Sequence, residues 1–264
     1  MNALIVYYSQ TGQLKEILRN LFSDSMSNID YCEIQTTQYK FPLTWKTMFD
    51  MFPESVLQKP CSISYELPHK DYDAVILGFQ TWFLHLSLPM LTFCQTCDFN
   101  RLVEGKKVYL IMDCRNSWGQ AMQFVENRVK QSGGVIEGKY VYGSTGGNFV
   151  GSISILHWFF TGNKKVHFLP EPGVPQIEID KAHNCGDMIL STSSKEVITF
   201  PIGNSRFMPV QMENFAIKKF KWWAKYIINK DNKYRKYRLL LFRLWLICTL
   251  MAIAPFTKIM RCKC

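Results

Sequence analysis

Three short segments hold residue types that could do chemistry together. Ser9-Gln-Thr-Gly-Gln-Leu14 sets two hydroxyls, Ser9 and Thr11, beside a glycine where a β-rich run gives way to helical spacing. Backbone N–H groups at a helix start, joined by those hydroxyls, form a concave donor array suited to a phosphate. Gly12 lets the chain approach an anion closely, and Gln13 and Leu14 open the helix. The same residues also read as a plain hydroxyl cap on a helix. No Gly-Lys-Ser/Thr follows, so the loop is not of the Walker type, and it lacks the dinucleotide G-x-G-x-x-G. The second segment, Gly78-Phe-Gln-Thr-Trp-Phe83, contains Gln80, Thr81, Trp82 and Phe83. The third, Asp113-Cys-Arg-Asn-Ser-Trp-Gly119, adds Asp113, Asn116, Trp118 and Gly119 around Arg115. A fixed cation there could stabilise a developing negative charge, and a solvated loop arginine is the plainer alternative.

Of the five histidines (69, 85, 157, 167 and 183), His85 follows the second segment and is the best placed to exchange protons. A loop or packing histidine is the plainer alternative. Asp113 and Asp73 read as strand-end polar groups rather than catalysts. The glycine-rich loop Gly143-Ser-Thr-Gly-Gly-Asn148 could border the same cleft. Nine cysteines are scattered through apolar segments, and neither Cys94-x-x-Cys97 nor Cys262-x-Cys264 has a second pair at ligand spacing. No metal site is expected, and buried free thiols are. Odd cysteine usage and an N-terminus without a secretory n-region predict a reducing, cytoplasmic setting.

The elements that position these segments alternate. Ala3–Tyr8 is a continuous apolar run, as in a strand buried on both faces. Leu14, Ile17, Leu18 and Leu21 then recur at helical spacing. Further strands are predicted at Ile29–Gln35, Asp73–Phe79, Lys107–Asp113 and Val135–Tyr142. Helices are predicted around 43–57 and over Leu86–Cys97, Gly119–Gln131, Ser152–Phe160 and Asp180–Ser194. Strands alternating with helices imply right-handed crossovers and a five-stranded parallel sheet covered on both sides. In such a sheet ligands bind beyond the carboxyl ends of the strands. All three segments leave those ends.

The 264 residues are 47% apolar and 20% charged, ample for a packed core. Residues 1–212 carry 18 Lys and Arg against 19 Asp and Glu, a net of −1. Residues 213–264 carry 13 against Glu213 and Asp231, a net of +11. The near-neutral body argues against nucleic-acid binding. In the tail, lysines and arginines interleave with Phe220, Trp222, Trp223, Tyr226 and Tyr237, and 14 uncharged residues follow from Leu244 to Thr257. That run falls short of the ~20 residues needed to span a bilayer. The tail reads as an interfacial anchor on an anionic membrane. A helix packed on the body or an oligomer contact is the alternative.

Residues 2–145 resemble the flavodoxins. Ser9-Gln-Thr-Gly-Gln is similar to their phosphate loop, and the Gly78 and Asp113 segments stand where the family carries its two flavin loops. The resemblance implies FMN as cofactor, with Trp82 and Phe83 along the ring and Arg115, Asn116 and Trp118 around it. Gln80-Thr81 replaces the proline usual in the first flavin loop. More narrowly, Val6-Tyr-Tyr-Ser-Gln-Thr-Gly-Gln-Leu-Lys-Glu-Ile-Leu18, the Gly-Phe-Gln-Thr-Trp block and the basic C-terminus resemble a bacterial family named for dialkylresorcinol condensation. That resemblance implies an FMN-dependent oxidation of a cyclohexanedione to a dialkylresorcinol. The substrate would be a small apolar molecule, with a ketosynthase, an acyl carrier and a second copy of the chain as candidate partners. An NAD(P)H-dependent quinone or FMN reductase, an electron carrier and a non-catalytic scaffold are the competing readings. The expected organisation is a flavin domain over 1–145, a helical and loop extension over 146–210, and a membrane-associating tail over 211–264.

Overall fold

A computed structural model describes residues 1–144, 148–165, 167–183, 185–194, 196–201, 207–228 and 232–259. Six strands run parallel in the order β2-β1-β3-β5-β6-β7: β1 (Asn2–Tyr7), β2 (Asn28–Glu33), β3 (Ala74–Trp82), β5 (Lys107–Cys114), β6 (Val135–Gly143) and β7 (Val197–Phe200). A two-residue β4 (His85–Leu86) folds back antiparallel on the end of β3. The first five parallel strands follow the flavodoxin-like order 2-1-3-4-5, so the fold is that doubly wound α/β class. The sixth, β7, corrects the expected count of five. It pairs with β6 from Lys139↔Val197 to Tyr142↔Phe200, inside a segment read from the sequence as helix and loop. Four half-buried residues ended by Pro201 give too short a pattern to register as a strand.

Period-two alternation divides the sheet's side chains between two cores. Leu4 and Val6 of β1 join Val75 and Leu77 of β3 and Leu110 and Met112 of β5 on one face. Ala3, Ile5 and Tyr7 join Ala74, Ile76, Tyr109 and Ile111 on the other. The first face is covered by α2 (Trp45–Val56), α3 (Leu88–Phe93), α4 (Cys97–Val103) and α5 (Gly119–Gln131), which buries Ala121, Met122, Val125 and Val129. The second is covered by α1 (Gln13–Leu21), through Leu14, Ile17, Leu18 and Leu21, and by α7 (Gln176–Lys181) and α8 (Gly186–Ser191). The helix expected over Asp180–Ser194 is thus two short ones, and that expected over Leu86–Cys97 is β4 followed by α3 and α4. At Gly78 a Cβ would lie 2.7 Å from both Tyr7 Cβ and Leu18 Cδ1. The missing side chain is what lets β3 sit tightly against β1 and α1.

The C-terminal region folds onto the body. Helix α9 (Val210–Ile228) and helix α10 (Arg235–Ile259), joined through a 3₁₀ turn at Asn232–Tyr234, pack on α2. The third core holds Phe49, Phe52 and Val56 of α2, Ala224 and Ile227 of α9, and Leu239 and Phe242 of α10. Phe52 and Phe242 stack at 3.9 Å between centroids. Arg235 binds the Glu54 carboxylate at 2.8 Å and the Asp50 carbonyl at 2.9 Å. The guanidinium of Arg243 lies 4.3 Å from the Phe49 ring centre, within cation–π range. The packed-helix alternative therefore describes the inner side of this tail. Among the described residues no helix is long and apolar enough to cross a membrane.

Candidate functional site

Chain direction switches sides between β1 and β3, and a cavity of about 360 Å³ opens at the carboxyl ends there. That size suits a cofactor or small ligand. All three sequence segments reach it. Its floor is lined by Gln10, Thr11 and Gln13 from the first, Gln80, Thr81, Trp82 and Phe83 from the second with Leu84 just after it, and Asp113 to Ser117 from the third. The side chains of Met48 and Met51 on α2, together with residues of α6 (Asn148–Thr161), α9 and α10, close it above.

The first loop is built to leave donors available. Gly12 stands at the N-cap of α1 with φ +86°, and nothing lies within 4 Å of where its Cβ would be. The Lys15 N–H donates to Ser9 Oγ at 3.3 Å and the Gln13 N–H to Thr11 Oγ1 at 3.4 Å. Both are longer than a well-made bond, so these hydroxyls cap the helix only weakly. The Gln13 side chain is committed elsewhere: its amide receives the Val174 N–H at 2.9 Å and donates to the Val174 carbonyl at 3.1 Å. Leu14 is fully buried in the second core, which leaves only its backbone at the loop.

A chain of amides ties the floor together. The Gln10 N–H donates to Gln80 Oε1 at 2.7 Å, and Gln80 Nε2 donates to Asp113 Oδ1 at 2.6 Å. Gln80 and Asp113 are direct partners across the β3–β5 ladder, so sheet register alone sets that contact. Gln10 is held in turn by the Tyr8 hydroxyl at 2.6 Å and by its own donation to the Tyr39 carbonyl. Asp113 is only 6% exposed, and burial pushes its carboxyl up to about 7 against the opposing Gln80 bond. Burial lowers Arg115 to about 10. It also raises the Cys114 thiol well above its usual range, with the charges of Asp113 and Glu213 adding to the effect.

Trp82 is buried edge-on to Tyr8 and Tyr39, at 5.6 and 5.4 Å, and presents the rest of its ring to the cavity. Phe83 and Leu84 follow with φ of +49° and +70°. Two bulky residues in the left-handed region make a tight β3–β4 hairpin that glycine or asparagine would adopt more readily. The turn sets both side chains in the cavity wall, and Phe83 meets Phe52 edge-on at 5.1 Å.

The structure separates other candidates from the cavity lining. His85 is buried in β4, and its Nδ1 lies 2.9 Å from the Phe83 carbonyl, which can only accept, so Nδ1 carries the proton. Burial, more than any neighbouring charge, lowers its pKa. Trp118 packs edge-on to Phe207. Gly119 lies beneath the Glu213 carboxylate, where a Cβ would meet Oε2 at 3.3 Å. Of the Gly143–Asn148 loop, residues 145–147 lie outside the described residues, as do Cys262 and Cys264.

Two features of the site escaped the sequence. Ser117 belongs to the cavity lining, and its buried hydroxyl has no hydrogen-bond partner among the described residues. Its place in the third loop fits a polar ring edge. Glu213, the first acid of the basic tail, accepts the Gln120 N–H at 3.1 Å and so caps α5 from α9. The Met208 N–H also donates to the Asn116 carbonyl at 2.7 Å. The segment entering α9 therefore straps the third loop. An acid near the start of one helix gives no sequence sign that it caps another.

No protein-family model and no curated protein matches the chain. Among solved structures it is similar to a flavoprotein in complex with FMN from Lactobacillus acidophilus NCFM, at 15% identity over 54% of this chain and 92% of that one, with TM-score 0.42. A flavodoxin, WrbA-like protein from Agrobacterium tumefaciens aligns at 11% identity over 71% of this chain and 94% of that one, with TM-score 0.37. Oxidised flavodoxin 1 from Bacillus cereus aligns at 16% identity over 74% and 100%, with TM-score 0.39. At such identities and scores the function has to come from the site's own residues.

Proposed function

We propose that the chain is an FMN-dependent oxidoreductase that oxidises a cyclohexanedione intermediate to a dialkylresorcinol, seated peripherally or monotopically on the cytoplasmic membrane. The observation that supports it most is the meeting of three strand-end loops in one cavity, with an anion-ready helix start on one side and an orphaned hydroxyl on another. The residues fit the cofactor. Thr11, Gly12 and the first turn of α1 would hold its phosphate; Trp82 and Phe83 would border its ring; Ser117 and Asn116 would meet the polar ring edge. Bound FMN would supply a two-electron acceptor for hydride leaving the substrate. Arg115 would favour negative charge in the cavity, and Asp113, buried and held by Gln80, can hold or release a proton near neutral pH. The apolar roof suits an alkyl-bearing ring.

The covered cavity favours an enzyme over a flavodoxin-type electron carrier, which needs an accessible flavin edge. A quinone or flavin reductase would share the same floor and would show rapid reduction by NAD(P)H with a quinone acceptor. The test is a visible absorption titration of the full chain with FMN, followed by anaerobic turnover of an alkylated cyclohexanedione. We expect saturable FMN uptake, weakened about tenfold in Thr11→Ala, and bleaching of the flavin band by the dione. A protein that takes up no FMN overturns the reading. One that takes it up but is bleached only by NAD(P)H shifts it to the reductase.

A further inference from the structure

The two sides of the α9–α10 hairpin differ sharply. Inward, Ala216 and Phe220 of α9 and Leu246 of α10 line the cavity. Outward, α10 exposes Leu240, Leu244, Ile247 and Met251, each about half exposed and spaced three or four residues apart. That spacing makes one apolar stripe along the helix. On α9 the outward residues are aromatic and cationic together. Trp222 is 59% exposed and stacks on Tyr226 at 5.6 Å, Lys219 lies over the Phe215 ring, and Lys218 and Lys225 are exposed beside them.

The charge on this face is one-sided. Of the tail's two acids, Glu213 is buried under the start of α5 and Asp231 lies outside the described residues. Among the described residues from 214 to 259, every formal charge is positive. A monomer in water gains nothing from leaving so continuous an apolar surface exposed. A second copy of the same face would set exposed lysines such as Lys218 and Lys225 against their own kind. An anionic bilayer supplies what both parts of the surface lack: opposite charge for the lysines, and an apolar interior within reach of the leucines and aromatic rings.

We infer that the outward face of α9–α10 seats the protein on an anionic phospholipid bilayer, so that the cavity beneath it loads an apolar substrate directly from the lipid phase. The seating deepens the membrane clause of the reading above by naming its surface and lipid, and the loading rests on the oxidoreductase clause. One hairpin separates lipid from cavity, with a wall about one helix thick. An alkyl-bearing molecule could pass between them without crossing water.

Flotation of the full chain with vesicles tests this, using phosphatidylcholine alone and phosphatidylcholine with one quarter phosphatidylglycerol. The expected result is flotation with the anionic vesicles, about tenfold weaker with the neutral ones and lost in high salt. The triple variant Leu240→Ser/Leu244→Ser/Ile247→Ser should stay unbound, with unchanged circular dichroism because the changed positions are exposed. Lys218→Glu/Lys225→Glu is a second variant and should lose the preference for anionic vesicles. Equal flotation of the triple variant, no preference for anionic lipid, or a wild type that dimerises in solution and ignores vesicles overturns the seating. FMN absorbance measured on the same samples keeps the two proposals separable. Flotation without flavin uptake supports the seating and sinks the oxidoreductase. Uptake without flotation overturns the seating, the membrane clause of the proposed function included, and leaves the flavin chemistry standing.

Discussion

The floor and the roof of the cavity are made by different physics. Floor contacts are short and polar and come from neighbouring strand ends: Gln10, Gln80 and Asp113 meet because β1, β3 and β5 are adjacent and in register. Roof contacts are apolar and join segments far apart in the chain, as when Phe52 of α2 stacks on Phe242 of α10. A floor fixed by a ladder can hold a ligand in one orientation. A roof fixed by side-chain packing can be loosened without disturbing that ladder. Glu213 and the Met208–Asn116 bond are the polar ties between the two.

The sharpest way to break the pairing is Phe242→Ala. Phe242 is fully buried and touches Phe49, Phe52, Phe220, Trp223 and Trp245. Truncation of such a ring costs about 3–5 kcal/mol. The loss should fall on the roof: urea unfolding should separate an early C-terminal transition from the sheet, and binding of an apolar fluorescent probe should drop. FMN affinity should change by less than about threefold if the floor is independent. A joint loss of both would show that floor and roof form one cooperative unit.

Asp113→Asn probes the floor in the opposite direction. The folded carboxyl is raised to about 7 from 3.8, so the folded state binds the proton more tightly than the unfolded chain. The stability that this proton contributes is complete below pH ~4 and is lost as pH rises toward 7. Asparagine keeps an oxygen for the Gln80 amide and never ionises. The variant should therefore gain on wild type by up to about 1.4 kcal/mol per pH unit across that window, then run parallel above it. Urea midpoints at pH 5 and pH 8 measure the gain. A constant difference would mean that Asp113 is not the group that titrates.

How much could be read beforehand follows the same division. The apolar runs of β1, β3 and β5 and the four apolar positions of α1 announce the sheet, and sheet order then places Thr11, Gln80, Trp82 and Asp113 at one edge. Local pattern was enough there because register does the assembly. His85 looked equally well placed, but the two-residue hairpin turns it into the protein and spends its Nδ1 on a carbonyl. The roof's helices around 43–57 and over Ser152–Phe160 were legible, but their assembly over the cavity was not. The basic, aromatic sequence of α9 reads the same whether its apolar side meets lipid or α2, and only the packed structure shows Ala224 and Ile227 set against α2. Strand β7 is invisible for a related reason, since its four half-buried residues gain meaning only beside β6.

Leu84→Gly sharpens the comparison with the smallest effect. Leu84 belongs to the floor by its backbone and to the apolar enclosure by its side chain, which lines the cavity. Its φ of +70° is a conformation that costs a leucine about 1–2 kcal/mol and glycine almost nothing. Glycine returns part of that gain through the greater entropy of the unfolded chain, leaving a net stabilisation of roughly 0.5–1 kcal/mol. The enclosure, though, loses a wall residue. The variant should melt at a slightly higher temperature while binding an apolar probe several-fold more weakly. That combination would identify the hairpin as a place where the fold tolerates strain to shape its cavity. A variant that is less stable and binds the probe unchanged would instead assign Leu84 to the packing of β4 alone.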